Sequence, residues 1–438
     1  MTTLTRRMVM LALLLVMSLV AAACGNDADT STTEEDPATE AEVDAATEAE
    51  PTDMMTEATE MMTEATEMMT EATEMMSDEP TEMMSDEPTE MMSDEPTEMM
   101  SEGEQVGAAS LDELCAQYEG TELPEDFNVG LVTDIGRIDD GTFNQFANDG
   151  MEAAADCLGF ETDVIETASE ADYETNITTI LESDPEVVVT VGFLLADRTL
   201  AAAEANPDVN FIGIDQFQEE FPDNYIGILF REDQGGYLAG AMAALLSESG
   251  TVGVVGGLEV VPPVVRFVNG FEAGAKSITP DINVLTAYTD SFTDPAQGRS
   301  TAEQFLGEGA DVIFGAGGQT GSGAVSAAAE AGAWGIGVDQ DEYFTTFGGG
   351  SSTGADRLAT SAVKRVDLGV FTQIGDSMAG NFSGGVFVLD AANGGITYAP
   401  FHDADIPEDV ATQLEEVRAG LADESIETGI DPVTGLPM

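Results

Sequence analysis

The chain has 438 residues, with 85 Asp and Glu against 12 Lys and Arg, a net charge of −73 and a single His. Polyanions bind cationic footprints, so nucleic acid and anionic lipid surfaces are poor partners for this chain. One His excludes a His-rich metal centre and leaves little for a Ser/His/Asp triad, so we expect neither a metal nor a cofactor nor an enzyme.

The chain opens with Arg6 and Arg7, an apolar run from Met8 to about Val20, and Ala21-Ala22-Ala23 before Cys24. The run is too short for an ordinary spanning helix, and residues 1–23 read as a secretory signal peptide. Small residues before Cys24 and the polar Gly25-Asn26-Asp27 after it resemble a bacterial lipobox, although Ala21 stands where that pattern favours Leu. The expectation is a lipidated Cys24 and a protein anchored to the cell membrane on its extracytoplasmic face.

Residues 24–110 form an acidic, Met-rich tract. Met-Met-Thr-Glu-Ala-Thr-Glu occurs three times from Met54, and Met-Met-Ser-Asp-Glu-Pro-Thr-Glu three times from Met75. The tract carries 28 Asp and Glu and no Lys or Arg. It lacks the apolar surface needed to offset ordering entropy, so it reads as a disordered tether. Adjacent Met pairs make no coiled-coil seam, and Pro80, Pro88 and Pro96 break helices. Thioethers are able to ligate Cu(I), but a repeat-expanded spacer explains the tract without it.

The remaining residues, 111–438, hold 57 Asp and Glu against 10 Lys and Arg. Such a surface favours a soluble monomer and suits a salty medium. Cys115 and Cys157 are able to pair outside the membrane; two buried free thiols are the alternative. Strands are predicted at Phe127–Val132, Thr162–Glu166, Val187–Val191, Asn210–Ile214 and Tyr225–Phe230. Helices fall between them at Thr142–Leu158, Tyr173–Glu182 and Ala196–Ala205, with another at Gln234–Leu246. The pattern then runs again. Strands fall at Thr251–Val255, Asn283–Ala287, Val312–Phe314 and Trp334–Val338, and helices near Arg266–Ser277, Ala296–Glu308 and Ser322–Ala331.

Apolar strands alternating with helices mean parallel sheets covered on both faces. The expected class is α/β, with two Rossmann-like lobes and a cleft between them. Lobe 1 covers about residues 120–233 plus a later crossover segment. Lobe 2 covers about 234–365 plus a C-terminal segment. Carboxylates recur at strand ends, at Asp134, Asp215, Asp290 and Asp339, where open α/β sheets bind ligands.

Three further features stand out. Asp134 is followed by an acidic loop and by Phe143-Asn144 at a helix start. Gly315 to Gly323 is a glycine-rich turn without the Lys of a phosphate-binding loop, so it suits close approach to a neutral ligand. Thr360 to Asp367 reads as a helix entry in which Lys364 either pairs with Asp367 on the surface or reaches Asp339 in the cleft. His402 reads as a surface residue.

Val132-Thr133-Asp134, Ile138 to Gln145, Gly270-Phe271-Glu272-Ala273-Gly274-Ala275-Lys276, Trp334 to Asp341 and Thr360 to Asp367 occur in an order that resembles the basic membrane protein family. These are bacterial lipoproteins that serve ABC transporters as substrate-binding components. The resemblance runs from about residue 127 to 400. It implies a type 1 periplasmic-binding fold with a hinge of crossing strands, and a permease as partner. It also implies a nucleoside ligand, most often a purine nucleoside. On that likeness Phe143 and Phe292 would sandwich the base, Asn144 and Asp215 would bond its edge, and Asp339 and Lys364 would hold the ribose. Gly317 or Gly318 would allow close backbone approach, and Asp134 would line the site or hold its loop. The Gly- and Ser-rich Phe344–Thr353 stretch departs from relatives. Another small ligand, such as a sugar or signalling compound, or a surface interaction role, is the alternative.

Overall fold

Parallel strands need long crossovers, and the helices between the apolar runs supply them. The computed structural model describes residues 110–125 and 127–438; the expected signal peptide, Cys24 and the expected tether lie outside the described residues. Helix α1 (Leu111–Gln117) leads into β1 (Asn128–Ile135), α2 (Phe143–Leu158), β2 (Glu161–Thr167), α3 (Tyr173–Ile180), β3 (Val187–Val191), α4 (Ala196–Ala205), β4 (Asn210–Ile214) and β5 (Tyr225–Phe230). The second run comprises α5 (Glu232–Leu246), β6 (Thr251–Gly256), α6 (Pro262–Ile278), β7 (Asn283–Tyr288), α7 (Pro295–Gly307), β8 (Val312–Ala316), α8 (Gly318–Glu330), β9 (Trp334–Asp339), the short α9 (Glu342–Thr345) and β10 (Leu358–Lys364). Then come α10 (Val366–Met378), β11 (Gly385–Leu389), β12 (Ile396–Tyr398) and α11 (Glu408–Ala422).

The strands form two six-stranded sheets, ordered β11-β5-β4-β3-β1-β2 and β12-β10-β9-β8-β6-β7. All neighbours are parallel except β10 and β12. The inner order 2-1-3-4-5 thus occurs twice, and its switch point lies between β1 and β3 in one lobe and between β6 and β8 in the other. The chain crosses between lobes after β5, after β10, and between β11 and β12. The second crossing sends α10 to pack on α2, β3 and β4.

Local chemistry explains the main boundaries. The run Val187–Val191 is buried at every position, as a strand covered on both faces must be. Helix α2 ends at Gly159 in a left-handed cap at φ +86°. Pro262 and Pro295 open α6 and α7, and Asp294 caps the latter through the N–H groups of Ala296 and Gln297.

One expectation is corrected. Thr360 to Asp367 is no helix entry: it is a fully buried strand through Lys364, paired to β9 with Val363 opposite Asp339, and α10 begins only at Val366. Its small and β-branched side chains fill space on both sheet faces, which outweighs the polar look of the segment. Of the two alternatives for the thiols, the structure takes the pair: Cys115 and Cys157 are disulfide-bonded with Cα atoms 5.9 Å apart, tying α1 to α2.

Helices α5 and α6 touch backbone to backbone. A Cβ at Gly240 would fall 1.9 Å from the Phe271 carbonyl oxygen, and one at Gly274 would fall 2.0 Å from that of Tyr237. This contact sets α6 against the start of the first crossover. Gly240→Ala should cost about 1–3 kcal/mol through overpacking, read as a lowered denaturant midpoint at unchanged m-value. An unchanged midpoint would show that the two helices are free to separate.

Candidate functional site

The loop after β1 is built by Asp140. Its carboxylate accepts from the backbone N–H of Thr142 (2.8 Å), Asn144 (3.1 Å) and Gln145 (3.1 Å), which fixes the start of α2. Phe143 is therefore presented, half-buried, from the first turn. Asn144 is tied into the loop: its Oδ1 accepts from the Asp134 N–H (3.0 Å) and its Nδ2 donates to Asp140 Oδ2 (3.0 Å). Asp134 Oδ1 accepts from the Ile135 N–H (2.7 Å) and from the Tyr173 hydroxyl. Burial pushes the Asp134 carboxyl up to about 6, against the pull of those hydrogen bonds.

Two carboxylates stand at strand ends in the left-handed region, Asp215 after β4 at φ +61° and Asp339 closing β9 at φ +68°. Asp tolerates that region better than most residues, and such positions gather at functional sites. Lys364, at the end of β10, is 2% exposed. Its Nζ lies 2.6 Å from Asp215 Oδ2 and 3.0 Å from Glu232 Oε1, and stands 4.8 Å and 4.7 Å from the ring centroids of Phe143 and Phe230. The other oxygen of Glu232 receives Arg266 Nε at 2.5 Å.

Burial pulls the Lys364 ammonium down, but Asp215, Glu232 and Asp339 together hold it above its ordinary value. Burial would raise Glu232, yet Arg266 and Lys364 bring it down to about 2. Asp339 is pushed up to about 7 by burial, with Lys364 pulling back and Asp215, Asp140 and Glu342 adding to the rise. Asp215 is pushed up to about 6, again by burial first, with Lys364 opposing.

Lobe 2, which already supplies Asp339 and Lys364, adds the rest of its wall from the loops after β6, β7 and β8. The Phe292 ring lies against Gly257, where a Cβ would meet it at 2.2 Å, and the Phe292 carbonyl accepts from the Thr320 N–H (3.2 Å). Gly317 follows β8 and presses on the backbone of Gly257, and Gly318 (φ +58°) begins α8, so most of the glycine run lies inside that helix.

These walls line a cleft between the lobes whose free space, open solvent included, is about 660 Å³. Asp134, Phe143, Asn144, Asp215, Phe292, Gly317, Gly318, Asp339 and Lys364 all line it. Asp290 does not; β7 is an edge strand, and the carboxylate instead accepts from Gln297 Nε2 at 2.7 Å. Lys364 makes no surface pair with Asp367, which is bound by Arg365. His402 lies in a loop with its ring stacked on Tyr343 and its Nε2 2.6 Å from Asp341.

Sequence reasoning missed Phe193, Phe267 and Asp140 in the lining, and Glu232 and Arg266 behind it. Phe193 was within reach, since Gly192-Phe193 directly follows β3. Nothing marked Glu232 in so acidic a chain. The lobes also meet at the rim, where Gln340 Nε2 donates to Thr142 O (3.1 Å) and Thr345 Oγ1 to Gly141 O (2.8 Å).

The folded protein keeps the Asp339 proton at pH values where the unfolded chain has lost it. That contribution is fully present below the unfolded pKa of about 4 and is lost as pH rises through the folded value. Asp339→Asn should therefore flatten the fall in Tm between about pH 4 and about pH 8 and melt above wild type at the upper end. An unchanged slope would mean that this carboxyl is ionised throughout.

Comparison with known proteins accords with this arrangement. The profile of the Bmp family, described as ABC transporter substrate-binding protein PnrA-like, matches residues 127–420. The CD4+ T-cell-stimulating antigen of Listeria monocytogenes is 31% identical over 325 residues, covering 70% of this chain and 89% of its own. The ABC transporter nucleoside-binding protein BmpA of Lactococcus lactis is 31% identical over 289 residues, covering 62% of this chain and 81% of its own. An ABC transporter solute-binding protein from Aeropyrum pernix K1 has a solved structure that superposes with a TM-score of 0.62 at 26% identity, covering 69% of this chain and 92% of its own. Since the match takes in both sheets and every residue lining the cavity, the chain belongs to the PnrA-like family of ABC transporter substrate-binding proteins, which bind a small molecule rather than transform it.

Proposed function

We propose that the cavity binds a nucleoside, a purine nucleoside in preference, and that the closed lobes deliver it to a membrane permease. The observation that carries this reading is one cavity combining two phenyl rings from opposite lobes, Phe143 and Phe292, with buried carboxylates grouped round Lys364. A flat base between the rings gains stacking energy, and N–H and O–H groups find acceptors at Asp134, Asp215 and Asp339. Asp215 Oδ1 is buried without a hydrogen bond, and such an orphan acceptor suits a ligand donor. In this reading Asp339 and Lys364 grip the ribose, Gly317 and Gly318 allow close approach, and Asn144 acts through the loop it holds.

Phosphate is disfavoured because Lys364 is already paired with two carboxylates. The Lactococcus lactis relative named for nucleoside binding supports the same class. Attachment of Cys24 to lipid would hold the receptor on the extracytoplasmic face, as a monomer beside its permease.

A thermal-shift series with inosine, guanosine, adenosine, cytidine, uridine, ribose and inosine monophosphate tests the ligand class. Purine nucleosides should stabilise by about 3 kcal/mol at a hundredfold excess over Kd, with the monophosphate well behind. A response to ribose alone would turn the site into a sugar receptor, and silence throughout would favour a surface interaction role. Phe143→Ala should weaken inosine binding by about 1–3 kcal/mol in calorimetry; unchanged affinity would remove the stacking role. Cys24→Ser should shift the protein from the membrane to the soluble fraction, and retention in the membrane would count against the anchor.

A further inference from the structure

The ion cluster behind the cavity continues beyond it. Glu232, fully buried at the start of α5, joins Lys364 at 3.0 Å to Arg266 at 2.5 Å, and the Arg266 side chain is only 7% exposed. Arg266 Nη1 then donates to the backbone carbonyl of Val433 (3.3 Å), and Asn269, one turn along α6, donates from Nδ2 to Gly435 O (2.6 Å). Val433 and Gly435 belong to a tight hairpin closed by Asp431 N–H to Leu436 O (2.8 Å) and Met438 N–H to Gly429 O (2.9 Å). At its base Thr428 Oγ1 donates to Asp233 Oδ2 (2.5 Å), and Asp233 holds Arg231 on the first crossover at 2.8 Å.

This line of contacts runs from the cavity wall, across two hinge segments, to α6 and the hairpin. An ammonium on a four-carbon stem has many rotamers, and one carboxylate does not fix it. Glu232 supplies a second anchor from behind. Glu232 needs its own buried counter-charge, since removing one partner from such a set leaves an uncompensated charge. Arg266 is that counter-charge, and its outer nitrogen is held by the hairpin.

We propose that Glu232 and Arg266 are positioning residues that hold Lys364 in the cavity, and that the hairpin of residues 428–438 locks Arg266 in that role. The proposal rests on the reading that Lys364 touches the ligand. Its test separates the two questions, because the chain has only two lysines, Lys276 and Lys364. Lys276 lies half-exposed beside Glu272 and serves as an internal control.

In 15N NMR of the empty full-length protein, Lys364 Nζ should give an exchange-protected ammonium signal. Arg266→Met and deletion of 428–438 should broaden or shift it and leave Lys276 in place, and Arg266→Lys should restore it. With inosine as probe, the same variants should bind about tenfold more weakly, with Arg266→Lys close to wild type. Asn269→Ala cuts one hairpin bond without touching the ion cluster, and should give the same change in smaller measure even if the deletion does not fold. An unperturbed Lys364 signal in both Arg266→Met and Asn269→Ala overturns the proposal. A perturbed signal in a protein that binds no nucleoside supports the positioning role and sinks only the choice of ligand.

Discussion

A buried ammonium between carboxylates is the constraint on which the rest of this molecule turns. Lys364 is almost wholly buried, so Asp215 from one lobe and Glu232 from the first crossover must both be at hand. Their presence keeps the lysine charged in a place where burial alone would neutralise it. The same charges act outward on Asp339, which burial drives toward its protonated form. The cavity therefore combines a fixed cation, a carboxylate already engaged and a carboxyl near its titration point, drawn from both lobes.

Doubled topology makes that meeting possible. Two sheets of the same inner strand order bring their carboxyl ends to one cleft, and the second and third crossings add β11 and β12 to opposite sheets. Residues far apart in the chain, such as Asp215 and Lys364, thereby come to hydrogen-bond distance. Glycine contacts between α5 and α6 bring the second lobe's first helix pair close enough for Arg266 to reach Glu232. Replacing those contacts with side chains would move α6, and with it Val264 and Phe267, which line the cavity from behind.

Scarcity of positive charge sharpens the same point. In a chain of 85 acids and 12 bases, any base left on the surface would be surrounded by acids. Four of the bases, Arg231, Arg266, Lys364 and Arg365, gather at the crossovers, each with a carboxylate partner. Elsewhere the cations serve local pairs, as Arg299 does with Glu330 and Arg418 with Glu415. The cations at the hinge are thus each paired, in a protein of strongly acidic composition.

Much of this is legible in the residues alone. Val187–Val191, Ala196–Ala205 and Asn210–Ile214 carry their own boundaries, because apolar runs and helix formers act over a few residues. The strand-end carboxylates and Phe143 follow from the rule that open sheets bind at their carboxyl ends. Local pattern failed where the deciding partner was distant. Thr360 to Lys364 looked like a helix entry because its burial on both faces depends on β9 and β12, which lie elsewhere in the chain. Asp290 looked equivalent to Asp215, yet an edge strand turns it away from the cleft. Glu232 and Arg266 were unreadable, since their meaning lies in a contact 34 residues apart. Composition and periodicity act along the chain and settle fold class and strand ends. Charge pairing in a buried hinge acts across it, and only the packed lobes bring those charges together.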